Sequence, residues 1–448
     1  MKKTKLYIAI LILFALATGF IVLKFNNNKK DKSVKIYTLL DRKGLSAQTE
    51  EWILMKKRAG VMLQSIKNNP QDIKPKLALT ALFIQEARIT GNYMYYDMAA
   101  LKYVNDVLAA DSVNFEALTL KAMILLSQHH FAEGLIEAEK AKRINPYNAF
   151  VYGILVDGNV EMGQYTAAIE NSDKMVSIRP DIRSYSRISY LREIHGDYPG
   201  AIEAMKMAVD AGAPGDETTE WCRVQVGKLY ELLGDFKTAE MHYTISLESR
   251  ANYVHAIAGL ARLAMANKEY TKAEKLYLQA DSISDGYSFK EDMVDLYRLM
   301  GNREKVEALS EQVIEKMTKD SKNGEQDESI GHYSDQELAY AYLKLNAFDK
   351  ALFHAQQEYN RRPNNIDVNE TLAWVYYHKG DYAKALLHIK TALQTKSKHP
   401  RLLCRAGLIY LKNNDRQMAK QLLQDGLKNN GNFDETLKTS SQEALKSL

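Results

Sequence analysis

Little in this sequence breaks a helix. Only 8 prolines and 23 glycines occur in 448 residues, and a chain so poor in breakers and rich in Ala, Leu, Lys and Glu is predicted to be mostly helical. Cysteine is scarcer still. Two residues, Cys222 and Cys404, exclude a disulfide framework or a cysteine-rich metal site. Excess charge of one sign is also missing. Eight lysines and a single acid, Asp31, lie before residue 36, so of the net charge of +4 the flank carries +7 and the rest of the chain −3. A slightly acidic body lacks the electrostatic footprint of a nucleic-acid binder, and no nucleic-acid partner is expected. No phosphate-loop, dinucleotide-binding, zinc-protease or nucleophile-elbow string occurs. Apolar residues at 46% and charged residues at 26% then exclude bulk disorder.

The N-terminus carries one long apolar run. Lys2, Lys3 and Lys5 precede Leu6 to Leu23, 18 residues without a charge. A helix there would be ~27 Å long, close to the hydrocarbon thickness of a bilayer. The expectation is a single-pass membrane anchor over residues 6–23 with the body outside the cytoplasm. The alternative is a signal peptide cut near Ala15-Leu16-Ala17, leaving a secreted protein. Residues 24–46 read as a polar linker.

The remainder repeats. A short punctuation returns at Gly163-Gln164-Tyr165, Gly196-Asp197-Tyr198, Gly234-Asp235-Phe236, Lys268-Glu269-Tyr270, Gly301-Asn302-Arg303, Asn346-Ala347-Phe348, Gly380-Asp381-Tyr382 and Asn414-Asp415-Arg416, with His129-His130-Phe131 one period upstream. Most spacings are near 34 residues. Three places after the aromatic position comes a small residue: Gly134, Ala168, Ala201, Ala239, Ala273, Val306, Ala351, Ala385 and Ala419. Two antiparallel helices joined by a short turn must approach closely, and a small residue at the crossing permits it. Gly or Asn at the turn supplies the left-handed residue that ends the first helix.

This pattern resembles the tetratricopeptide repeat family, most closely in Val226-Gly227…Tyr230…Gly234-Asp235-Phe236…Ala239…Tyr243 and in Leu372-Ala373…Tyr376…Gly380-Asp381-Tyr382…Ala385. The resemblance implies an all-α fold, a right-handed superhelical solenoid of antiparallel helix hairpins, with a concave groove that binds partner proteins. Nine units are expected over 115–433, degenerate helical repeats over 47–114, and a capping helix over 434–448, which covers the last apolar face. Thr318 to Gly331, rich in Ser, Gly, Asp and Glu, reads as a loop inserted in the seventh unit. Stacked hairpins would hold Cys222 and Cys404 far beyond disulfide reach.

No catalytic, cofactor-binding or metal residues are assigned. His129-His130 has no third ligand near it in sequence, His378 and His388 lack a supporting carboxylate set, and Lys319 to Ile330 puts the wrong residues at the calcium-loop positions. Most tyrosines fall on packing places. The groove face of the first helices offers Tyr190, Trp221, Lys228, Arg262, Arg298, Tyr340, Trp374 and Tyr377, aromatics interleaved with cations that suit a protein or peptide partner. The Lys, Asn and Arg set with which some members of the family grip a C-terminal carboxylate is not found. The expected function is a non-catalytic protein–protein interaction scaffold tethered to a membrane, needing no cofactor. The alternative is an extracytoplasmic binding protein that holds a small ligand, peptide or glycan on Tyr340, Trp374 and Tyr377.

Overall fold

The computed structural model describes residues 18, 19, 36–286, 288–325 and 331–448. It divides into two units, Met1–Leu40 and Asp41–Leu448. Of the first, Thr18 and Gly19 are helical and 36–40 have no regular structure.

The second unit is all-α among its described residues. After a 3-10 turn at Gly44–Gln48 come α1 (Glu50–Asn68), α2 (Ile73–Thr90), α3 (Tyr93–Ala110), α4 (Phe115–Ser127), α5 (Phe131–Ile144), α6 (Ala149–Glu161), α7 (Tyr165–Ile178) and α8 (Ile182–Ile194). They continue as α9 (Tyr198–Asp210), α10 (Glu217–Leu232), α11 (Phe236–Ser249), α12 (Val254–Ala266), α13 (Tyr270–Ile283), α14 (Ser288–Leu299) and α15 (Arg303–Glu325). The last are α16 (Asp335–Lys344), α17 (Phe348–Arg361), α18 (Ile366–His378), α19 (Tyr382–Ala392), α20 (Pro400–Lys412), α21 (Arg416–Leu427) and α22 (Glu435–Lys446). From α2 onward, consecutive helices pair as hairpins and each hairpin packs on the next. The unit is a solenoid. Helix α22 lies across α20 and α21 and buries Leu437 against Cys404, Leu408 and Leu423.

Two sequence expectations change. Residues 318–325 are not a loop but continue α15; residues 326–330 lie outside the described part. Once a helix is nucleated at Arg303, each further residue adds a hydrogen bond, and the helix carries on through these residues. The single-pass anchor is also corrected. Among the described residues no helix is long and apolar enough to cross a membrane, because the solenoid helices interleave core-facing apolar residues with polar ones. The run Leu6 to Leu23 itself lies, apart from Thr18 and Gly19, outside the described residues.

Local chemistry explains the hairpins. The residue that opens each turn is left-handed: φ is +72° at Gly163, +77° at Gly196, +79° at Gly234 and +79° at Gly380, and His129, Lys268, Asn346 and Asn414 adopt the same conformation. The next residue caps the second helix where it is Asp. The carboxylates of Asp197, Asp235, Asp381 and Asp415 accept from the backbone N–H three residues on, at 3.0–3.1 Å, satisfying an otherwise orphaned donor. The aromatic opens the second helix. The small residue then meets the partner helix: Ala168, Ala201, Ala239, Ala273, Ala351, Ala385 and Ala419 have no accessible surface.

The superhelix closes on itself. After about 200 residues, six hairpins, the chain comes back against its earlier turns. The Asp285 N–H donates to the Thr90 carbonyl (2.8 Å) and the Tyr333 N–H to the Gln128 carbonyl (3.2 Å). The Ile366 N–H donates to the Tyr165 hydroxyl (2.9 Å), and the Asn432 N–H to the Glu231 carbonyl (3.1 Å). Arg362, 3% exposed, ties Glu161 on the earlier turn to Glu358 on its own and lies over the Phe131 ring at 4.6 Å. Truncating a buried pair of this kind leaves a carboxylate unpaired and typically costs about 3–5 kcal/mol.

The turn glycines separate the two constraints. A Cβ on Gly163 would fall onto the Asn364 backbone of the next superhelical turn, whereas one on Gly380 would meet nothing within 4 Å. Both substitutions pay the left-handed penalty of roughly 1–2 kcal/mol. Gly163→Ala is therefore expected to melt lower than Gly380→Ala, with an additional loss of about 1–3 kcal/mol for the forced seam. Chemical and thermal denaturation of the two variants measure this; equal losses would mean that the turns do not press together at Gly163.

Candidate functional site

The candidate residues of the sequence all lie on the first helices of their hairpins. The structure divides them into three groups. Trp221 is partly buried and packs against both the cluster around Cys222 and Leu229 and that around Tyr243 and Leu263. Its placement among the groove residues followed the repeat phase, but at the start of α10 the ring turns into the inter-hairpin space.

The second group sits at the C-terminal end. Tyr340 of α16, Trp374 and Tyr377 of α18 and Arg405 of α20 converge. The Trp374 and Tyr377 rings stack at 4.7 Å and 6°. The Arg405 guanidinium lies 5.0 Å from the Trp374 ring centroid and 5.6 Å from that of Tyr340, distances at which a cation is attracted to an aromatic face. The Tyr340 hydroxyl accepts from Thr371 at 3.0 Å and from Arg405 at 3.4 Å. Arg405 and Arg401 both donate to Glu370, at 2.9 and 3.0 Å. Burial alone would raise the Glu370 carboxyl, but the two guanidiniums outweigh it and hold it at about 2.

The third group is electrostatic. Arg262 forks onto Glu231, Nε to Oε1 at 3.0 Å and a terminal nitrogen to Oε2 at 3.1 Å. Glu231 also accepts from the Tyr243 hydroxyl at 2.6 Å and from the Asn432 amide of the following superhelical turn at 2.7 Å. Arg298 donates to Asp295 (3.2 Å) and to the Lys344 carbonyl (2.6 Å). The Lys228 ammonium is pushed down to about 8, by burial first and by Arg262 next. Tyr190 is 39% exposed, yet its phenol is pushed well up by burial and by Asp367, Glu161 and Glu193.

Sequence reasoning missed the carboxylates between these residues. Glu193 is raised to about 7, by burial with Lys228 opposing and Asp367 adding to it. Glu291 is raised to about 7 by burial against the pull of Lys344. Asp292 and Asp367 are raised too, burial leading in both. None of these four forms an ion pair within 4.0 Å among the described residues. They contrast with Asp157, whose carboxylate takes both arms of Arg187 at 2.8 and 2.6 Å. The sequence carries only part of this distinction. Asp157 with Arg187, Glu231 with Arg262 and Glu370 with Arg401 are 30 or 31 residues apart, but the spacing alone does not separate paired from unpaired acids, since Glu193 and Asp367 also have a cation 30 or 31 residues on, Arg223 and Lys398.

No family model and no curated protein matches the chain. Among solved structures it is similar to the human IFIT1 dimer with PPP-AAAA, at 14% identity and a TM-score of 0.47, over 79% of this chain and 80% of that one. It is similar to a tetratricopeptide repeat protein from Parabacteroides merdae at 19% identity and a TM-score of 0.35, over 59% and 97%. A third, the thermophilic TPR protein TTC0263 of Thermus thermophilus, gives 17% and 0.38 over 42% and 99%. Likenesses at this level carry no statement about activity or partners. The fold assignment, an all-α solenoid of TPR-like hairpins, rests on the turns, caps and crossings above.

A pH experiment tests the unpaired carboxylates. Glu193 binds its proton more tightly folded than unfolded, so its stabilising effect is complete below about pH 4.5, is lost as the pH rises through about 7, and leaves a penalty above that. Glu193→Gln should therefore melt like the parent at pH 4.5 and higher than the parent at pH 8. A variant that gains nothing at pH 8 would place Glu193 in a solvated setting.

Proposed function

We propose that this chain is a non-catalytic scaffold that holds an extended, cation-bearing segment of a partner protein on the inner face of its solenoid. The observation that carries this reading is the set of acids without mates. Glu193, Glu291, Asp292 and Asp367 stay desolvated and unpaired while neighbouring inner-face acids are neutralised by arginines one repeat away. Keeping carboxylates in such a setting is costly unless cations arrive from elsewhere. A Lys- or Arg-bearing segment would supply them, and complementary charge would set its register. The aromatic group around Trp374 lies farther along the same succession of first helices. It offers the flat apolar surface that dominates many peptide interfaces.

A catalytic reading finds less support. The strongly perturbed groups are spread over many hairpins, and among the described residues no nucleophile with an adjacent base stands among them. The histidines most altered by burial, such as His255 and His399, lack a positioned carboxylate partner. Cys222 and Cys404 are buried, and burial raises both thiols, with Cys222 at about 12, so neither is a ready thiolate.

Fluorescence anisotropy with two extended peptides of equal length tests the reading, one Lys/Arg-rich with a single aromatic and one its acidic counterpart. The basic peptide should bind, weaken as salt rises, and lose about tenfold in affinity in a Glu193→Gln/Asp367→Asn double variant, equivalent to about 1.4 kcal/mol. Equal binding of the two peptides, or no change in the double variant, would overturn the proposal.

A further inference from the structure

The closed seam brings together residues that the sequence keeps some 200 positions apart. At one place these are His129, at the turn between α4 and α5, and His332 and Glu337, at the start of α16. His129 alone offers no metal site, since its sequence neighbourhood holds no third ligand. In the folded chain one ligand atom from each of His129, His332 and Glu337 lies within 4.8 Å of the other two, and the two imidazole centroids are 4.2 Å apart. We infer that His129, His332 and Glu337 form a binding site for a zinc-class divalent ion that clamps one superhelical turn to the next.

Three observations support this. First, the cluster holds buried polar atoms with no hydrogen-bond partner: His332 Nε2 and Glu337 Oε2, with Gln128 Oε1 and Ser334 Oγ among their immediate chain neighbours. Leaving buried polar atoms unpaired is costly, and each such group calls for an explanation. An ion is one that satisfies an imidazole nitrogen and a carboxylate oxygen together.

Second, the imidazoles already lie against the other members of the cluster. The Nδ1 of His129 is 3.0 Å from the Tyr333 carbonyl oxygen and 3.7 Å from Glu337 Oε1, so its ring edge faces both the seam backbone and the carboxylate. The Nε2 of His332 has no partner, and its ring lies against that of His129. Backbone carbonyls holding the far nitrogen are the usual second layer around metal-bound histidines. His130 is excluded from the ligand set by the same logic: its Nε2 is already engaged at 2.7 Å by the Gly331 carbonyl.

Third, the nearest cations are already used. Arg362 is held by Glu358 and Glu161 and by the Gln336 side chain, and Arg361 by Asp335 and Glu358. They do not occupy the Glu337 carboxylate. Two neutral imidazoles and one carboxylate leave a fourth tetrahedral position for water or an outside ligand, a donor set suited to zinc.

The test uses the full chain, stripped with a chelator and titrated with zinc chloride, then with cobalt(II) chloride. Equilibrium dialysis should give one zinc per chain, the melting temperature should rise with zinc, and cobalt should give the intense visible bands of a four-coordinate N/O site. Glu337→Gln and His332→Ala should each weaken zinc binding by about tenfold or more and abolish the cobalt bands, while His130→Ala retains both. Circular dichroism shows which variants fold. Should His332→Ala fail, the near-isosteric Glu337→Gln carries the comparison. Failure of the parent to bind zinc at about 100 μM, or binding that survives both ligand variants, would overturn the site. Neither outcome bears on the peptide measurement above, which concerns other residues.

Discussion

The distance between the two helices of a hairpin is the constraint on which everything else depends. An alanine with no accessible surface at each crossing, such as Ala168, Ala239 or Ala385, lets the backbones come close enough for a short turn to join them. A larger side chain would splay the pair. Because nearly every hairpin obeys the same constraint, each is rotated on the last by a similar amount, and small equal rotations accumulate into a superhelix. Its pitch is then fixed, and a fixed pitch decides which residues meet after a full turn. The contacts of Gly163 with Asn364 and of Glu231 with Asn432 are thus remote consequences of local packing.

That chain of causes explains what could be read in the sequence and what could not. The left-handed turn residue, the Asp cap and the small crossing residue act within a few positions of one another, so their chemistry was visible in a single period. The seam was not. Tyr165 and Ile366, or Arg362 and Glu161, are joined only after six rotations, and no local pattern encodes their pairing. His129 shows this most sharply: read beside its sequence neighbours it is a turn residue, and only the superhelical return gives it His332 and Glu337 as company. The apolar run near the N-terminus has the opposite lesson. Its length alone suggested a membrane span, and among the described residues no helix meets that requirement.

The candidate groove was half legible. Repeat phase placed Tyr340, Trp374, Lys228 and Arg262 on the first helices of their hairpins, and the structure has them on those helices. Phase could not say whether each was free. Arg262 and Arg298 are consumed by Glu231 and Asp295, and Trp221 packs partly buried against two neighbouring clusters. The distinction depends on which side chains the fold brings together. A repeat protein effectively writes its inner surface in pairs of positions, and the unit of inference is the pair rather than the residue.

This pairing bears on how such a surface changes function. Where both members of a pair are present, as with Asp157 and Arg187, the inner face is neutral and rigid, and the acid has little left to offer a ligand. Where the cation is missing, as at Glu193 or Asp367, burial raises the carboxyl and the site holds an unmet demand for positive charge. Replacing one mate therefore moves a position from structure to recognition without disturbing the alanine crossings that set the helix spacing. A solenoid can thus acquire binding specificity one repeat at a time. The limit is the seam: at Glu231 and Glu161 the same carboxylates also hold successive turns together, so a change there trades recognition directly against closure of the superhelix.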